Sequence, residues 1–348
     1  MRVGVVTIAH GRHDRLARQQ LLLADQGAPG RPVGVETGRL DAVGSVRDRE
    51  PAGPVRAREP HGQDIGQRDP PDRAEGRGSD DRSVRSSGPA AAHRVVVAMG
   101  DPVAAGLART AGADVVTLDV PADGRLPLAR ARNAGAAAAL AAGCELLVFL
   151  DVDCLPGPGL IAGYAGAATV APDALLCGPV TYLPPLDLPD DPARLTDRIT
   201  THRTPHAARP DPADGEIERG DAYELFWSLS FAVRADTWAR LGGFWPEYAG
   251  YGAEDTDLAF TARAAGVPLC WVGGADAYHQ HHPVSRPPVE HLDDILANGA
   301  LFARRWGTWP MTGWLEQFER RGLVARDGEG WVAVADGSTP RVADRDPA

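Results

Sequence analysis

Lysine is absent from this chain. All 36 basic residues among its 348 are arginine, and 47 aspartates and glutamates outnumber them, for a net charge of −11. A general nucleic-acid or anionic-membrane binder is disfavoured, because both need a net basic face. Cysteine is scarce: Cys144, Cys154, Cys177 and Cys270 lie far apart and form no CxxC pair, which argues against a Cys-rich zinc site. Three of them lie in or beside apolar runs and read as small core residues, in keeping with a reducing setting. No run approaches the roughly 20 apolar residues of a membrane span. The opening "MRVGVVTIAH" is too short an apolar run for a signal peptide. The expectation is a cytoplasmic protein with no transmembrane segment, free to work beside a membrane.

What is present points to an α/β core. "VGVVTIA" (Val3–Ala9) is a continuous β-branched run of the kind buried in parallel sheets, and Asp14 is placed to cap a helix to Ala24. Residues 25–93 then show no sustained hydrophobic period and read as a low-complexity, disordered insertion. Strands are predicted at Val95–Met99, Asp114–Leu118 and Glu145–Leu150, alternating with helices at Pro102–Ala111 and Pro127–Ala142. This is the βαβ pattern of a mainly parallel sheet, whose ligands bind outside the carboxyl ends of the strands. Leu183–Gly220, rich in proline and aspartate, reads as a long mobile loop. A strand (Leu225–Val233), a helix (Asp236–Leu241), a helix from near Asp255 to Ala265 and a buried strand in "VPLCWVGG" follow. Residues 1–24 and 94–288 form the expected domain. Residues 289–324 form a helical extension (Val289–Trp306, Met311–Arg321), and 325–348 a frayed tail.

Four constellations carry chemistry. Asp151 and Asp153 follow a buried strand, and two carboxylates there suit a divalent cation shared with a phosphate ligand. Read blandly, they are solvated turn caps. In "LARARNAG", Arg132 lies near a helix amino end, where an anion is welcome, or is simply a solvated arginine. "YGAEDTDLAF" crowds Glu254, Asp255 and Asp257 at a helix start, which is more than one cap requires. A base that takes a hydroxyl proton fits there, beside aromatic Trp245, Tyr248 and Tyr251. "YHQHHP" places His279, His281 and His282 after a strand, where His279 and His281 can share a face and one can complete a metal site.

The order of these pieces resembles family-2 glycosyltransferases with a GT-A nucleotide-sugar-binding fold. The resemblance runs through "VVTIAHGR", "AMGDP", "LPLARARNAG" and "LLVFLDVDCLPGPGLI". The segment "SFAVRADTWARLGGFWPEYAGYGAEDTDLAFTARAAG" is similar to the catalytic segment of galactosyl- and N-acetylgalactosaminyltransferases. It covers most of the chain except residues 25–93, Leu183–Gly220 and the tail. The second strand ends "MGDP" where relatives commonly carry "DDGS".

The resemblance implies roles. Asp153 would bind Mn²⁺ or Mg²⁺, with His281, and after it His279, as the candidate third ligand. Asp151 would contact the ribose or a metal-bound water, and Arg132 the ribose and phosphates. Thr7, Ala9 and Arg12 would line the nucleotide pocket, and Asp101 would face the base. Asp255 would be the general base, with Glu254 holding hydroxyls. The implied function is an inverting, metal-dependent transfer of sugar from a nucleotide diphosphate sugar, a UDP-sugar first, to a hydroxyl acceptor. That acceptor would be a glycan, a lipid-linked sugar or a small molecule. A nucleotidyltransferase, or a non-catalytic sugar-nucleotide-binding scaffold of the same fold, is the alternative.

Overall fold

The computed structural model describes residues 1–26, 47–48 and 92–334. Strand β1 (Val3–Ala9) is buried along its whole length and feeds α1 (His13–Asp25). A two-residue strand, β2 (Arg47–Asp48), precedes β3 (His93–Met99), α2 (Pro102–Thr110), β4 (Asp114–Leu118), α3 (Leu128–Ala141) and β5 (Leu146–Leu150). Next come β6 (Cys154–Pro156), α4 (Leu160–Val170), β7 (Leu175–Cys177), β8 (Val180–Tyr182), α5 (Pro192–Thr200) and β9 (Ile217–Gly220). The carboxy-terminal part holds β10 (Ser230–Arg234), α6 (Ala235–Leu241), α7 (Glu254–Ala264), β11 (Leu269–Val272) and β12 (Ala277–His279). It closes with α8 (Leu292–Trp306), α9 (Thr312–Arg320) and a hairpin of β13 (Val324–Asp327) and β14 (Gly330–Ala333).

The central sheet has nine strands in the order β2-β9-β11-β7-β10-β5-β1-β3-β4. β1 lies between β3 and β5, parallel to both, and β4 continues the parallel set. β10 enters antiparallel between β5 and β7, so the sheet is mixed but mainly parallel. Alternation along the strands sorts the core into two layers. Leu147 and Phe149 pack with α3, α6 and α7, and Leu146, Val148 and Leu150 pack with α1 and α4. Gly135 lets α3 approach the sheet: a Cβ there would lie 2.4 Å from Val6 Cγ1 and 3.0 Å from Val97 Cγ2.

Several boundaries differ from the sequence reading. Asp14 does not cap α1. Arg12, in the left-handed region at φ 52°, takes the cap position, and Asp14 falls in the first turn, where its charge complements the dipole. Of the segment 25–93, Asp25 closes α1, His93 opens β3, and Arg47–Asp48 pairs with β9. The disorder expected for the rest lies outside the described residues. Leu183–Gly220 is structured: Leu195 and Ile199 of α5 bury against Leu22 and Leu183, and β9 joins the sheet. The expected Leu225–Val233 strand is a short 3-10 turn followed by β10. Residues 325–334 of the expected frayed tail are structured, because β14 buries Trp331 with Ile295, Leu315 and Phe318; the rest of that expectation lies outside the described residues. None of the helices among the described residues is long and apolar enough to cross a membrane.

Candidate active site

The carboxyl end of β5 delivers Asp151, and a tight turn (Cys154 N to Asp151 O, 2.8 Å) swings Asp153 onto the same rim. Gln19 of α1 fixes that turn from below. Its amide donates to the carbonyls of Asp151 (2.7 Å) and Cys154 (2.9 Å), and its oxygen accepts from Thr7 Oγ1 (2.9 Å). β12 pairs with β6 so that His279 sits opposite Cys154, next to Asp153.

The result is a cluster of Asp153, His279 and His282, whose ligand atoms all lie within 4.8 Å of one another. Both Nε2 atoms face one carboxylate oxygen, at 3.5 Å from His279 and 3.6 Å from His282. Arg12 reaches the same oxygen. Burial alone would raise the pKa of Asp153, but the two imidazoles and the Arg12 guanidinium outweigh it and hold the group well below the usual carboxylate range. One carboxylate and two imidazoles fit a divalent transition ion such as Mn²⁺ better than Mg²⁺, which prefers all-oxygen sites. Arg12 would have to yield its oxygen.

The second half is built on α7. The turn before it runs through Gly250 and Gly252 and places Ala253 at φ 73°, a left-handed conformation rare for a residue with a Cβ. Asn298 of α8 holds this turn by donating to the carbonyls of Ala249 (3.0 Å), Tyr251 (3.2 Å) and Gly252 (2.9 Å). Glu254 and Asp255 thereby reach the end of β5. Arg132, 4% exposed, joins the halves: its NH2 donates to Asp151 Oδ1 at 2.9 Å and its NH1 to Glu254 Oε1 at 3.0 Å. Burial raises the pKa values of Glu254, Asp255 and Asp151. The Asp255 charge pushes Glu254 up further, and the Asp151 charge acts likewise on Asp255.

The residues singled out from sequence divide as follows. Asp151, Asp153, His279, Arg132, Glu254 and Asp255 gather on one rim. His281 does not join the cluster: its side chain is exposed, its carbonyl accepts from Arg15 at 3.2 Å, and His282 stands where His281 was expected. Thr7 and Ala9 are buried under the rim, 1% and 0% exposed, and support it from beneath. Asp101 caps α2 through Val103 N and Ala104 N and also binds Gly11 N and His13. Burial opposes ionisation of Asp101, yet those hydrogen bonds pull its pKa down to about 2.

Asp257 turns away from the rim, accepting from Tyr248 (3.0 Å) and Trp306 (2.8 Å). Of the three aromatics, Tyr248 is buried, while Trp245 and Tyr251 are 40% and 37% exposed. Two features escaped the sequence reading. Arg12 on Asp153 is a contact no local pattern encodes. Arg209 is buried between Trp227 (5.0 Å) and Trp271 (4.7 Å), yet it comes from a stretch whose prolines and aspartates read as loop.

No family model matches the sequence. The chain is similar to validoxylamine A glucosyltransferase of Streptomyces hygroscopicus subsp. jinggangensis, 26% identical over 192 residues, covering 51% of this chain and 44% of the relative. The enzyme of the same name from S. hygroscopicus subsp. limoneus matches to the same extent, with 41% of its length covered. The chain thus spans less than half the length of the curated relatives it matches. Among solved structures, S. aureus TarS aligns over 87% of this chain and 40% of its own at 9% identity, TM-score 0.47. GalNAc-T7 with UDP, GalNAc and Mn²⁺ aligns over 55% of this chain and 38% of its own at 14% identity, TM-score 0.37.

Proposed function

We propose that this chain is an inverting, metal-dependent glycosyltransferase of the GT-A type, moving a sugar from a nucleotide diphosphate to a hydroxyl acceptor. The observation that carries the proposal is Arg132. One buried guanidinium ties the carboxylate pair after β5 to the carboxylate pair opening α7, so a cation cluster and a candidate base face one space. The similarity to glucosyltransferases supports sugar transfer as the reaction. Asp153, His279 and His282 would hold the cation, which supplies charge neutralisation at the departing diphosphate.

The chain's own residues do the rest. Asp255 accepts the proton of the acceptor hydroxyl as its oxygen attacks the anomeric carbon. Its raised pKa strengthens it as a base. Glu254, fixed by Arg132, is placed to hold a hydroxyl. Arg132 spends its donors on Asp151 and Glu254 and therefore acts as a positioning residue. Tyr251, exposed and stacked on His291 at 4.3 Å, offers an aromatic face for an acceptor sugar.

Asp255→Asn tests the proposal. With Mn²⁺ and a panel of nucleotide sugars, the wild type should release nucleoside diphosphate. The variant should bind the donor unchanged and lose about 10²–10⁴-fold in turnover, the usual share of a general base. Release of pyrophosphate from a nucleoside triphosphate and sugar 1-phosphate, with no nucleoside diphosphate released from the nucleotide sugars, would identify a nucleotidyltransferase instead. Binding with neither transfer nor hydrolysis would identify a scaffold.

A further inference from the structure

A pocket of about 780 Å³ opens between α1 and the Leu183–Leu188 segment, adjoining the Asp153–His279–His282 cluster. Arg12, Arg15 and Arg18 line its helix wall, and Asp14 and Asp187 are the acids in its lining. Arg12 is engaged by Asp153. Arg15 donates to a neutral carbonyl, that of His281, and neither Arg15 nor Arg18 forms an ion pair with any of the described residues. Arg18 Nε is buried without a hydrogen-bond partner.

A second observation comes from the opposite wall. Gln280 lines the pocket, is 2% exposed, and has no partner for either its amide nitrogen or its oxygen. Buried polar groups are ordinarily satisfied, so a pair of unmet amide atoms in a pocket wall calls for a partner from outside the protein. The amino end of α1, which also faces this space, lacks a side-chain cap, so its N–H groups and dipole favour an anion. Guanidinium forks combined with a helix amino end select the phosphate class.

We propose that this pocket is a phosphate-binding site, with Arg15, Arg18, the amino end of α1 and the Gln280 amide as its donors. The phosphate is either that of the departing nucleoside diphosphate or one carried by the acceptor. Only this choice of sources rests on the glycosyltransferase proposal; the site itself rests on the residues named.

Pyrophosphate is the probe, titrated calorimetrically into the full chain without metal at low ionic strength. The wild type should bind it. Arg15→Gln/Arg18→Gln should weaken binding at least tenfold, and Arg109→Gln, on the exposed side of α2, should leave it unchanged. Because Arg15 and Arg18 are both partly exposed, thermal melts of the variants should match the wild type; if the double variant fails to fold, Arg18→Gln alone carries the same test. Equal binding in wild type and variant, or none in the wild type, overturns the site.

Repeating the titration in saturating UDP and Mn²⁺ separates the sources. Competition assigns the pocket to the donor, and simultaneous binding assigns it to a phosphorylated acceptor. Should no nucleoside diphosphate of the panel bind with Mn²⁺ while pyrophosphate does, the glycosyltransferase proposal falls and the phosphate site stands.

Discussion

Replacing Arg132 by methionine would keep an apolar stem of similar length and remove the guanidinium. In the native site that group lies 2.9 Å from Asp151 and 3.0 Å from Glu254, with the Phe244 ring 5.2 Å beneath it. Removing one partner of a buried ion pair costs about 3–5 kcal/mol, because the other charge is left without compensation. Here two carboxylates are stranded, so the upper part of that range is expected, against a total stability of about 5–15 kcal/mol. The loss should also depend on pH. Without Arg132 the folded-state pKa values of Asp151 and Glu254 rise further above their unfolded values. The folded variant then binds protons that the unfolded chain does not, and its stability falls as pH rises through that window. Every tenfold gain in proton affinity on folding corresponds to about 1.4 kcal/mol. Urea melts at pH 5 and pH 8 are the assay, with a larger deficit expected at pH 8. Adding Glu254→Gln should restore part of it. A deficit below about 1 kcal/mol at pH 8, or one that ignores pH, would refute the assignment of Arg132 as the buried tie of the site.

His282→Ala should weaken Mn²⁺ binding by roughly tenfold or more, since even supporting groups around a metal command that scale. His281→Ala should leave it intact; equal losses would break the three-residue cluster apart. Gly135→Ala should destabilise the chain by about 1–3 kcal/mol through overpacking against Val6 and Val97, and an unchanged melting temperature would show that α3 can retreat at no cost. Turnover should fall on the acid side at a pH above the ordinary carboxylate range, because Asp255, as the proposed base, would have to be ionised and burial raises its pKa. A pH profile flat down to about pH 4, where an ordinary Asp titrates, would assign the proton to another group.

The parallel core was legible because its signal is local. β1 matched its apolar run residue for residue, and β4 matched Asp114–Leu118, since both strands are written as short contiguous segments. Asp151 and Asp153 were legible for the same reason: a carboxylate pair after a buried run has few other places to go. What composition obscured was order without apolar period. α5 needs only Leu195 and Ile199 to dock, and two apolar residues among prolines and aspartates make no periodic signal. The choice among three histidines turned on how the chain leaves β12, which depends on pairing with β6 and β8 and on the Gln280 N to Asp153 O hydrogen bond. For Asp101, the family resemblance implies a contact to the nucleotide base. Asp101 also precedes Pro102, and an acid before a helix-opening proline is a strong cap signal, which the structure shows in the bonds to Val103 and Ala104.

β1 has neighbours on both edges, and both come from remote parts of the chain: Gly4 lies beside His93 and Val3 beside Leu146. A hairpin strand finds its partner within a few residues, but β1 has none so near. Long loops must close before its apolar surface gains anything, which places the chain among slow, non-local folders. Until β3 and β5 arrive, an uncharged β-branched strand presents two open edges to other molecules. A strand buried along its whole length in the native protein is therefore a hazard for aggregation during refolding, and dilution should improve recovery more than any change at the rim.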